Sequence, residues 1–151
     1  MKINGIDKKM FALDTFSGMP PVSKFDSARG KHEFTPPTNH LDVLRAQAQA
    51  LDIEDRLVVC PGMFTDTFVK LNGVQLSYSF VHIDANLYAS TREACRHCLP
   101  RLARGGAVVF DDYNGLCDLG ARLAIGESIR GYGLALCDLA HCSSWSRSGH
   151  A

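Results

Sequence analysis

The 151-residue sequence has no excess of charge of either sign and no long apolar run. Lys plus Arg and Asp plus Glu both number 16, so no net field attracts nucleic acid or an anionic membrane surface. No apolar run reaches the ~20 residues that a membrane-spanning helix needs, and the N-terminal residues lack the apolar core of a signal peptide. These absences predict a cytoplasmic protein that acts on a small molecule, without nucleic acid or membrane.

Disulfides are not expected either, because a cytoplasmic protein keeps its thiols reduced. Four of the six cysteines lie in apolar segments, where cysteine behaves as a small hydrophobic residue. These four are Cys60, Cys95, Cys98 and Cys137. The alternative is a zinc site that joins Cys95 and Cys98 to Cys137, His141 and Cys142. The spacing of the second group matches no common zinc pattern, so we expect buried thiols instead.

Two short apolar segments each end in acid. Residues 80–83, Phe-Val-His-Ile, precede Asp84, and residues 107–110, Ala-Val-Val-Phe, precede Asp111 and Asp112. Their β-branched and aromatic residues predict two strands. Between them, a serine at 90 and a glutamate at 93 fit a capping box, which predicts a helix beginning at residue 90.

The predicted helix carries one apolar stripe and is interrupted near its end by Pro100. The stripe consists of Cys95, Cys98, Leu99 and Leu102. A strand, a helix and a strand in so few residues require a parallel crossover, and such sheets bind ligands outside the carboxyl ends of their strands. We therefore expect Asp84, Asp111 and Asp112 to converge at one sheet edge.

Three neighbouring carboxylates repel one another unless a cation lies among them. Oxygen ligands favour a hard ion, Mg²⁺ before Mn²⁺ or Ca²⁺. For each single aspartate, a helix cap or a solvent-facing position is the alternative interpretation. The group of three predicts a magnesium site.

The rest of the chain fits one α/β domain over residues 1–140, followed by a polar tail at residues 141–151. A strand at residues 10–13 ends in Asp14, which is either a ribose ligand or a turn acid. Residues 18–38 are rich in Gly, Pro, Ser and Lys and form either a lid over a cleft or a disordered insert.

Helical periodicity is clearest after Asn39, where one apolar face is predicted. This face consists of Leu41, Leu44, Ala48 and Leu51. A strand follows at residues 56–60, and a later helix is predicted over residues 121–130. Residues 134–137 fit a strand or a helical turn equally well.

Six blocks of residues together resemble the macrocin O-methyltransferase family and cover most of residues 10–126 in the family's order. The blocks are residues 12–20 (ALDTFSGMP), 62–67 (GMFTDT), 83–91 (IDANLYAST), 99–102 (LPRL), 105–106 (GG) and 110–113 (FDDY). The family consists of class I methyltransferases that use S-adenosylmethionine and Mg²⁺ to methylate hydroxyls of sugars and natural products. The resemblance implies a Rossmann-like, mostly parallel sheet.

The resemblance also implies roles for particular residues. Asp84, Asp111 and Asp112 would hold Mg²⁺, and Asp14 would bind the ribose of the cofactor. It also implies that Gly62, Met63 and Phe64 lie near the adenine of the cofactor. For Met63 and Phe64, residue type alone offers an alternative, in which both side chains are buried at the start of a helix.

The sequence departs from the family in two ways. No glycine-rich cofactor loop precedes the strand at residues 10–13, so this strand corresponds to the family's second. The missing first strand would lie centrally in a sheet truncated at its N-terminus, so we expect the sheet to close the gap or to borrow a strand. Secondly, Asn86 stands where the family has an aspartate thought to be the general base, and an amide cannot accept that proton.

Three functions are therefore open. The leading hypothesis is a Mg²⁺-assisted, S-adenosylmethionine-dependent O-methyltransferase acting on a hydroxyl of a sugar or other small molecule. The second is a catalytically inactive methyltransferase-fold fragment that acts as a binding module. The third is a glycosyltransferase, in which residues 84–86 would be a degraded metal motif for a sugar nucleotide. The oligomeric state is open, and a homo-oligomer is compatible with each.

Overall fold

A computed structural model describes residues 8–27, 40–114 and 118–137. The strands are β1 (Met10–Asp14), β2 (Leu57–Pro61), β3 (Tyr78–Ile83) and β4 (Leu102–Phe110). The helices are α1 (His40–Ala50), α2 (Phe64–Leu71), α3 (Tyr88–Cys98) and α4 (Leu119–Arg130). Short 3₁₀ helices occupy Leu99–Arg101 and Asp112–Asn114. Among these helices, none is both long and apolar enough to cross a bilayer.

The chain divides into two compact units, Met1–Pro20 with Glu33–Lys70 and Pro21–His32 with Leu71–Ala151. In unit 1, β1 pairs with β2 in parallel, from Met10 opposite Leu57 to Asp14 opposite Pro61. This pairing confirms the two strands predicted from the apolar runs. Helix α1 lies where the periodicity predicted it, although Leu51 lies beyond its end and is 60% exposed.

In unit 2, β3 pairs with β4 in parallel, and α3 packs against α4. Buried apolar side chains of α3, α4 and the residues that flank α3 form the core. They include Leu87, Ala94, Cys95, Cys98, Leu99, Ala121, Ala124 and Ile125. The strand–helix–strand crossover predicted from residues 80–110 is therefore present, with the helix interrupted before Pro100 as expected.

Three details differ from the sequence predictions in this unit. Helix α3 begins at Tyr88, two residues before the predicted capping box, and its N-cap Leu87 makes no side-chain cap hydrogen bond. Leu102 belongs to β4 rather than to the helical stripe, because the 3₁₀ turn ends the helix first. Residues 134–137 form neither strand nor helix.

Strand β4 contains a bulge around its two glycines. Tyr78 pairs with Leu102, whereas Phe80 pairs with Ala107, so β4 carries three more residues than β3 between these pairs. Gly105 has a φ of +75°, which favours glycine. A Cβ on Gly106 would lie 2.9 Å from the backbone oxygens of Ala103 and Tyr78. The glycines therefore lie within β4 and bend it, so that the strand begins at Leu102 and not at Ala107, where the predicted strand begins.

The described strands form two parallel sheets of two strands each, one in either unit. The prediction that the sheet closes a gap or borrows a strand concerns how the strands of the two units are arranged, and it stays a prediction. Residues 28–38 of the predicted lid and the predicted tail at 141–151 lie outside the described residues, as do His141 and Cys142. The single domain over residues 1–140 stays a prediction.

Candidate functional site

Three acids meet at the carboxyl ends of β3 and β4. Asp84 directly follows β3 and Asp111 directly follows β4, while Asp112 begins a 3₁₀ helix. The N–H of Asp111 donates to the oxygen of Ile83 at 3.0 Å, so the strands stay in register to this point. One carboxylate oxygen from each aspartate lies within 4.8 Å of the other two. The structure thus brings together the three residues that the sequence predicted to converge.

Asp112 is the most firmly held of the three. It is 8% exposed, and its Oδ2 accepts the backbone N–H groups of Ala85 and Asn86 at 2.9 and 2.8 Å. Its Oδ1 accepts the side-chain Nδ2 of Asn86 at 2.9 Å. Each carboxylate oxygen has two acceptor positions, so Oδ1 keeps one for a cation. Backbone donors therefore fix this carboxylate before any ion binds.

The electrostatics of Asp84 reflect its partial burial and the crowding of like charges. Partial burial raises the pKa of Asp84, and the charges of Asp112 and Asp111 raise it further, while His82 acts in the opposite direction. An all-oxygen group in which burial and neighbouring like charges disfavour the ionised form of Asp84 is chemically suited to a hard divalent cation. The donor set therefore fits Mg²⁺ better than zinc, which favours nitrogen and sulfur ligands.

His82 lies beside the acids and is exposed. Its Nε2 is 3.4 Å from Asp111 Oδ1, and 48% of the His82 side chain and 62% of the Asp111 side chain are exposed. At this distance and exposure the pair contributes little to stability. His82 is therefore a surface residue beside the acids and does not belong to the core.

Asp118 is a fourth acid near this group, and sequence reasoning missed it. Burial and the charge of Asp112 raise the pKa of Asp118, and a hydrogen bond with the Asn86 side chain lowers it. Asp118 stands at the N-cap of α4 but makes no side-chain cap hydrogen bond there. An acid before a helical run is typical of an N-cap, so the sequence carried no signal for its contact with Asn86.

Asn86 therefore lies between two carboxylates. Its amide donates to Asp112, and its side chain is close enough to Asp118 to lower the pKa of that acid. Its φ of +51° is left-handed, a conformation that asparagine tolerates better than most residues. An amide at residue 86 is neutral and can lie beside these acids, whereas an aspartate there would add a fifth carboxylate that they repel.

The residues predicted to bind the cofactor belong to unit 1. Asp14 ends β1, and its Oδ1 accepts the N–H of Phe16 at 2.6 Å, so the turn uses one of its two oxygens. The N–H of Gly62 donates to the backbone oxygen of Asp14 at 2.9 Å, which brings these two predicted residues together. Met63, 37% exposed, precedes α2, and Phe64 begins it with its ring 5.2 Å from that of Phe68.

The cysteines behave as small hydrophobic residues on α3. Cys95 is fully buried and Cys98 is 7% exposed. Burial raises the pKa of Cys95 to about 11 and that of Cys98 to about 12. Among the described residues, the group of three aspartates is the one cluster with metal-ligand geometry, and no cysteine belongs to it.

Two solved methyltransferase structures match the fold of this chain. CalS11, a calicheamicin methyltransferase, matches with a TM-score of 0.73 at 21% identity over 94% of this chain and 61% of its own. The O-methyltransferase NovP matches with a TM-score of 0.67 at 23% identity over 87% of this chain and 55% of its own. At these identities the comparison establishes the fold, an α/β methyltransferase fold with parallel strands.

The sequence comparisons then give the family. The profile of the macrocin O-methyltransferase (TylF) family matches residues 1–126, and the chain belongs to this family. An 8-demethyl-8-(2,3-dimethoxy-alpha-L-rhamnosyl)-tetracenomycin-C 4'-O-methyltransferase of Streptomyces olivaceus is 30% identical over 70% of this chain and 42% of its own length. A mycinamicin III 3''-O-methyltransferase of Micromonospora griseorubida is 26% identical over 71% of this chain and 44% of its own. The chain thus spans less than half the length of these curated relatives.

Proposed function

We propose that this chain serves in O-methyl transfer from S-adenosylmethionine to a hydroxyl of a sugar or other natural product, with Mg²⁺ at its acidic site. The observation that carries the proposal is the convergence of Asp84, Asp111 and Asp112 within 4.8 Å in a chain of an O-methyltransferase family. Both curated relatives are named as O-methyltransferases of natural products, which supports the acceptor class.

The three aspartates would hold the metal. The exposed carboxylates of Asp84 and Asp111 face solvent, and Asp112 offers the acceptor position left on Oδ1. When bound, Mg²⁺ supplies positive charge that lowers the pKa of a hydroxyl beside it. The preorganised Asp112 carboxylate reduces the ordering that binding requires.

Asn86 would orient the acceptor in this proposal. Its Nδ2 is used by Asp112, and its side chain lies against Asp118, so Oδ1 is the atom suited to accept a hydrogen bond from a hydroxyl. An amide does not take the proton, so the residue acts by positioning alone. Methyl transfer is an in-line displacement, in which orientation accounts for much of the acceleration.

Asp14 would bind the cofactor's ribose, with Gly62, Met63 and Phe64 near the adenine. Asp14 Oδ1 is occupied by the N–H of Phe16, which leaves Oδ2 for a ribose hydroxyl. The exposed part of Met63 offers a flexible apolar surface to a base. These assignments extend the family resemblance with the contacts seen in unit 1.

A calorimetric titration of the full chain with S-adenosylmethionine, with and without Mg²⁺, tests the proposal. Asp111→Asn is the informative variant, because Asp111 is exposed and its change leaves the buried hydrogen bonds of Asp112 intact. We expect this variant to lose Mg²⁺ binding and to retain its melting temperature. Asp42→Asn, an exposed acid of α1, is the charge-matched control and should bind both ligands normally. Normal Mg²⁺ binding by Asp111→Asn would refute the metal assignment.

A catalytically inactive binding module is the second candidate. The amide of Asn86 in place of the family's acid favours it, because no proton acceptor then stands at this position. This candidate predicts that the full chain binds neither S-adenosylmethionine nor Mg²⁺ in the same titration. Family membership gives no support to the glycosyltransferase interpretation, which titration with nucleotide sugars would test directly.

A further inference from the structure

Asp26 connects the segment Pro21–Ser27 to the helix that follows the acidic site. Its Oδ2 accepts both the backbone N–H and the hydroxyl of Ser23, each at 2.7 Å, within a turn closed by Asp26 N–H donating to the Ser23 oxygen. Its Oδ1 accepts the N–H of Tyr88 at 2.7 Å, across 62 residues of sequence. One carboxylate therefore closes a local turn and makes a long-range contact at once.

The contact with Tyr88 supplies what α3 lacks at its start. The first N–H groups of a helix have no partner within the helix, and the N-cap Leu87 offers no side-chain acceptor. Asp26 takes the N–H of the first helical residue, and its negative charge lies at the positive end of the helix dipole. Asp26 thus acts as an N-cap that is brought from a distant segment.

Two further contacts fix Asp26 in place. The ring of Phe25 lies 4.3 Å from the ring of Tyr88, centroid to centroid. Gly120, near the start of α4, has no room for a side chain, because a Cβ there would collide with Asp26 Oδ1 and lie 3.1 Å from Tyr88 Cβ. The segment therefore docks where the first turns of α3 and α4 meet.

The turn between β3 and α3 is held at both ends by carboxylates. The N–H groups of Ala85 and Asn86 donate to Asp112 Oδ2, that of Leu87 donates to the Ala85 oxygen at 2.5 Å, and that of Tyr88 donates to Asp26. These four consecutive donors and the left-handed φ of Asn86 define an irregular turn. Its shape depends on acceptors outside the turn, one from the end of β4 and one from Asp26.

We propose that Asp26 is a positioning residue of the acidic site, which holds the turn carrying Asp84 and Asn86 in the shape that binds Asp112. The metal-binding consequence rests on the proposed function, whereas the effect on the turn does not. Loss of the Asp26 carboxylate frees the Tyr88 N–H, loosens the turn, and weakens the donation of Ala85 and Asn86 to Asp112.

Amide hydrogen exchange of the full chain, followed by NMR, tests the effect on the turn without any metal. We expect Asp26→Ala to speed exchange of Tyr88, Ala85 and Asn86 by roughly fivefold, the size of a lost N-cap. Asp26→Asn should restore most of the protection, because an amide oxygen still accepts the Tyr88 N–H. Exchange at Ile125 in α4 serves as the internal reference and should not change. Asp42→Ala is the control for loss of one exposed acid.

Gly120→Ala disturbs the contact between Asp26 and Tyr88 without changing the Asp26 carboxylate itself. Its methyl group displaces Asp26 Oδ1, so the same three amides should exchange faster. Faster exchange at Tyr88 alone, with Ala85 and Asn86 unchanged in both variants, would reduce Asp26 to a simple helix cap and overturn the proposal. Unchanged exchange at all three amides would overturn it as well.

Titration of the same variants with Mn²⁺ separates this inference from the proposed function. We expect Asp26→Ala to weaken Mn²⁺ affinity by roughly fivefold relative to Asp42→Ala, with recovery in Asp26→Asn. Unchanged affinity in Asp26→Ala beside a binding wild type would contradict a positioning role. A wild-type chain that binds no Mn²⁺ refutes the metal proposal, and the exchange data then decide the role of Asp26 by themselves.

Discussion

Asn86 and Asp112 form a two-point contact, in which the backbone N–H of Asn86 donates to one oxygen of Asp112 and its side-chain amide donates to the other. The two bonds measure 2.8 and 2.9 Å. An aspartate at residue 86 would keep the backbone bond and replace the second donor with a negative charge. The identity of this one residue therefore decides whether the acidic site is stable without a cation.

Asn86→Asp should make the stability of the chain depend on Mg²⁺. We expect the variant to lose about 1–2 kcal/mol of stability in a chelator, because a donor to a buried carboxylate becomes a like charge. Added Mg²⁺ should restore the melting temperature, which differential scanning fluorimetry measures. Asn72→Asp is the matched control, since Asn72 lies beside Arg101 and gains a favourable partner. A variant as stable as the wild type in chelator would contradict this account.

Asp112→Asn should destabilise the chain far more than Asp111→Asn. Asp112 is buried and accepts three N–H groups, so an amide at this position brings a donor against donors and costs about 2–3 kcal/mol. Asp111 is exposed, and its change should stay within about 0.5 kcal/mol. Urea unfolding of both variants measures the difference. Equal losses would show that the three N–H bonds do not hold the strand ends together.

The stability of unit 2 should fall on mild acidification because of His97. His97 is 5% exposed, and its Nε2 lies 2.9 Å from the Tyr78 hydroxyl. Burial, and then the charge of Arg101, lower the pKa of His97, so the unfolded chain takes up a proton more readily than the folded one. Stability from this group is therefore complete above the unfolded pKa of about 6.5 and is lost as the pH falls from there through the lowered folded pKa.

His97→Gln removes the titrating group and keeps a side chain that can hydrogen-bond Tyr78. We expect its melting temperature to fall less steeply than that of the wild type as the pH falls below about 6.5. Calorimetry at a series of pH values measures both slopes. His40→Gln, in unit 1, is the control and should follow the wild type. Parallel curves for wild type and His97→Gln would contradict the role of His97.

Alkylation should distinguish the cysteines by position. The thiolate is the reactive form, and burial raises the pKa of Cys95 to about 11 and that of Cys98 to about 12. Among the four cysteines that the structure describes, Cys137 is the exposed one and should react with iodoacetamide first in the folded chain, as peptide mass spectrometry can follow. After denaturation all cysteines should react. Early labelling of Cys95 or Cys98 in the folded chain would contradict the packing of α3 against α4.

The sequence predicted the acidic site because its signals are local. Asp84 and Asp111 each follow a short apolar strand, and parallel strands joined by a crossover bring their carboxyl ends to one edge. The same locality explains why the strands of unit 1 and the interruption before Pro100 were predicted correctly. Helix α1 was predicted for the same reason, although its predicted apolar face extends to Leu51, one residue beyond the end of the helix.

The errors arise where distant residues decide local structure. A serine and a glutamate at 90 and 93 suggested a capping box, but Asp26 caps α3 two residues earlier, and no local pattern reveals a partner 62 residues away. Asp118 was missed for the same reason, since its partner Asn86 lies on another turn. The bulge in β4 depends on how Gly105 and Gly106 meet β3, which the glycine pair alone does not specify.

That bulge makes the acidic site sensitive to changes in chain length rather than in side chains. The three additional residues of β4 are what bring Asp111 level with Asp84. Deleting one of them would slide Asp111 by about 3.3 Å along the strand and turn its carboxylate to the opposite face of the sheet. Across homologous sequences, the spacing from residue 102 to residue 111 is therefore the quantity that insertions and deletions should leave untouched wherever this cluster of acids is retained.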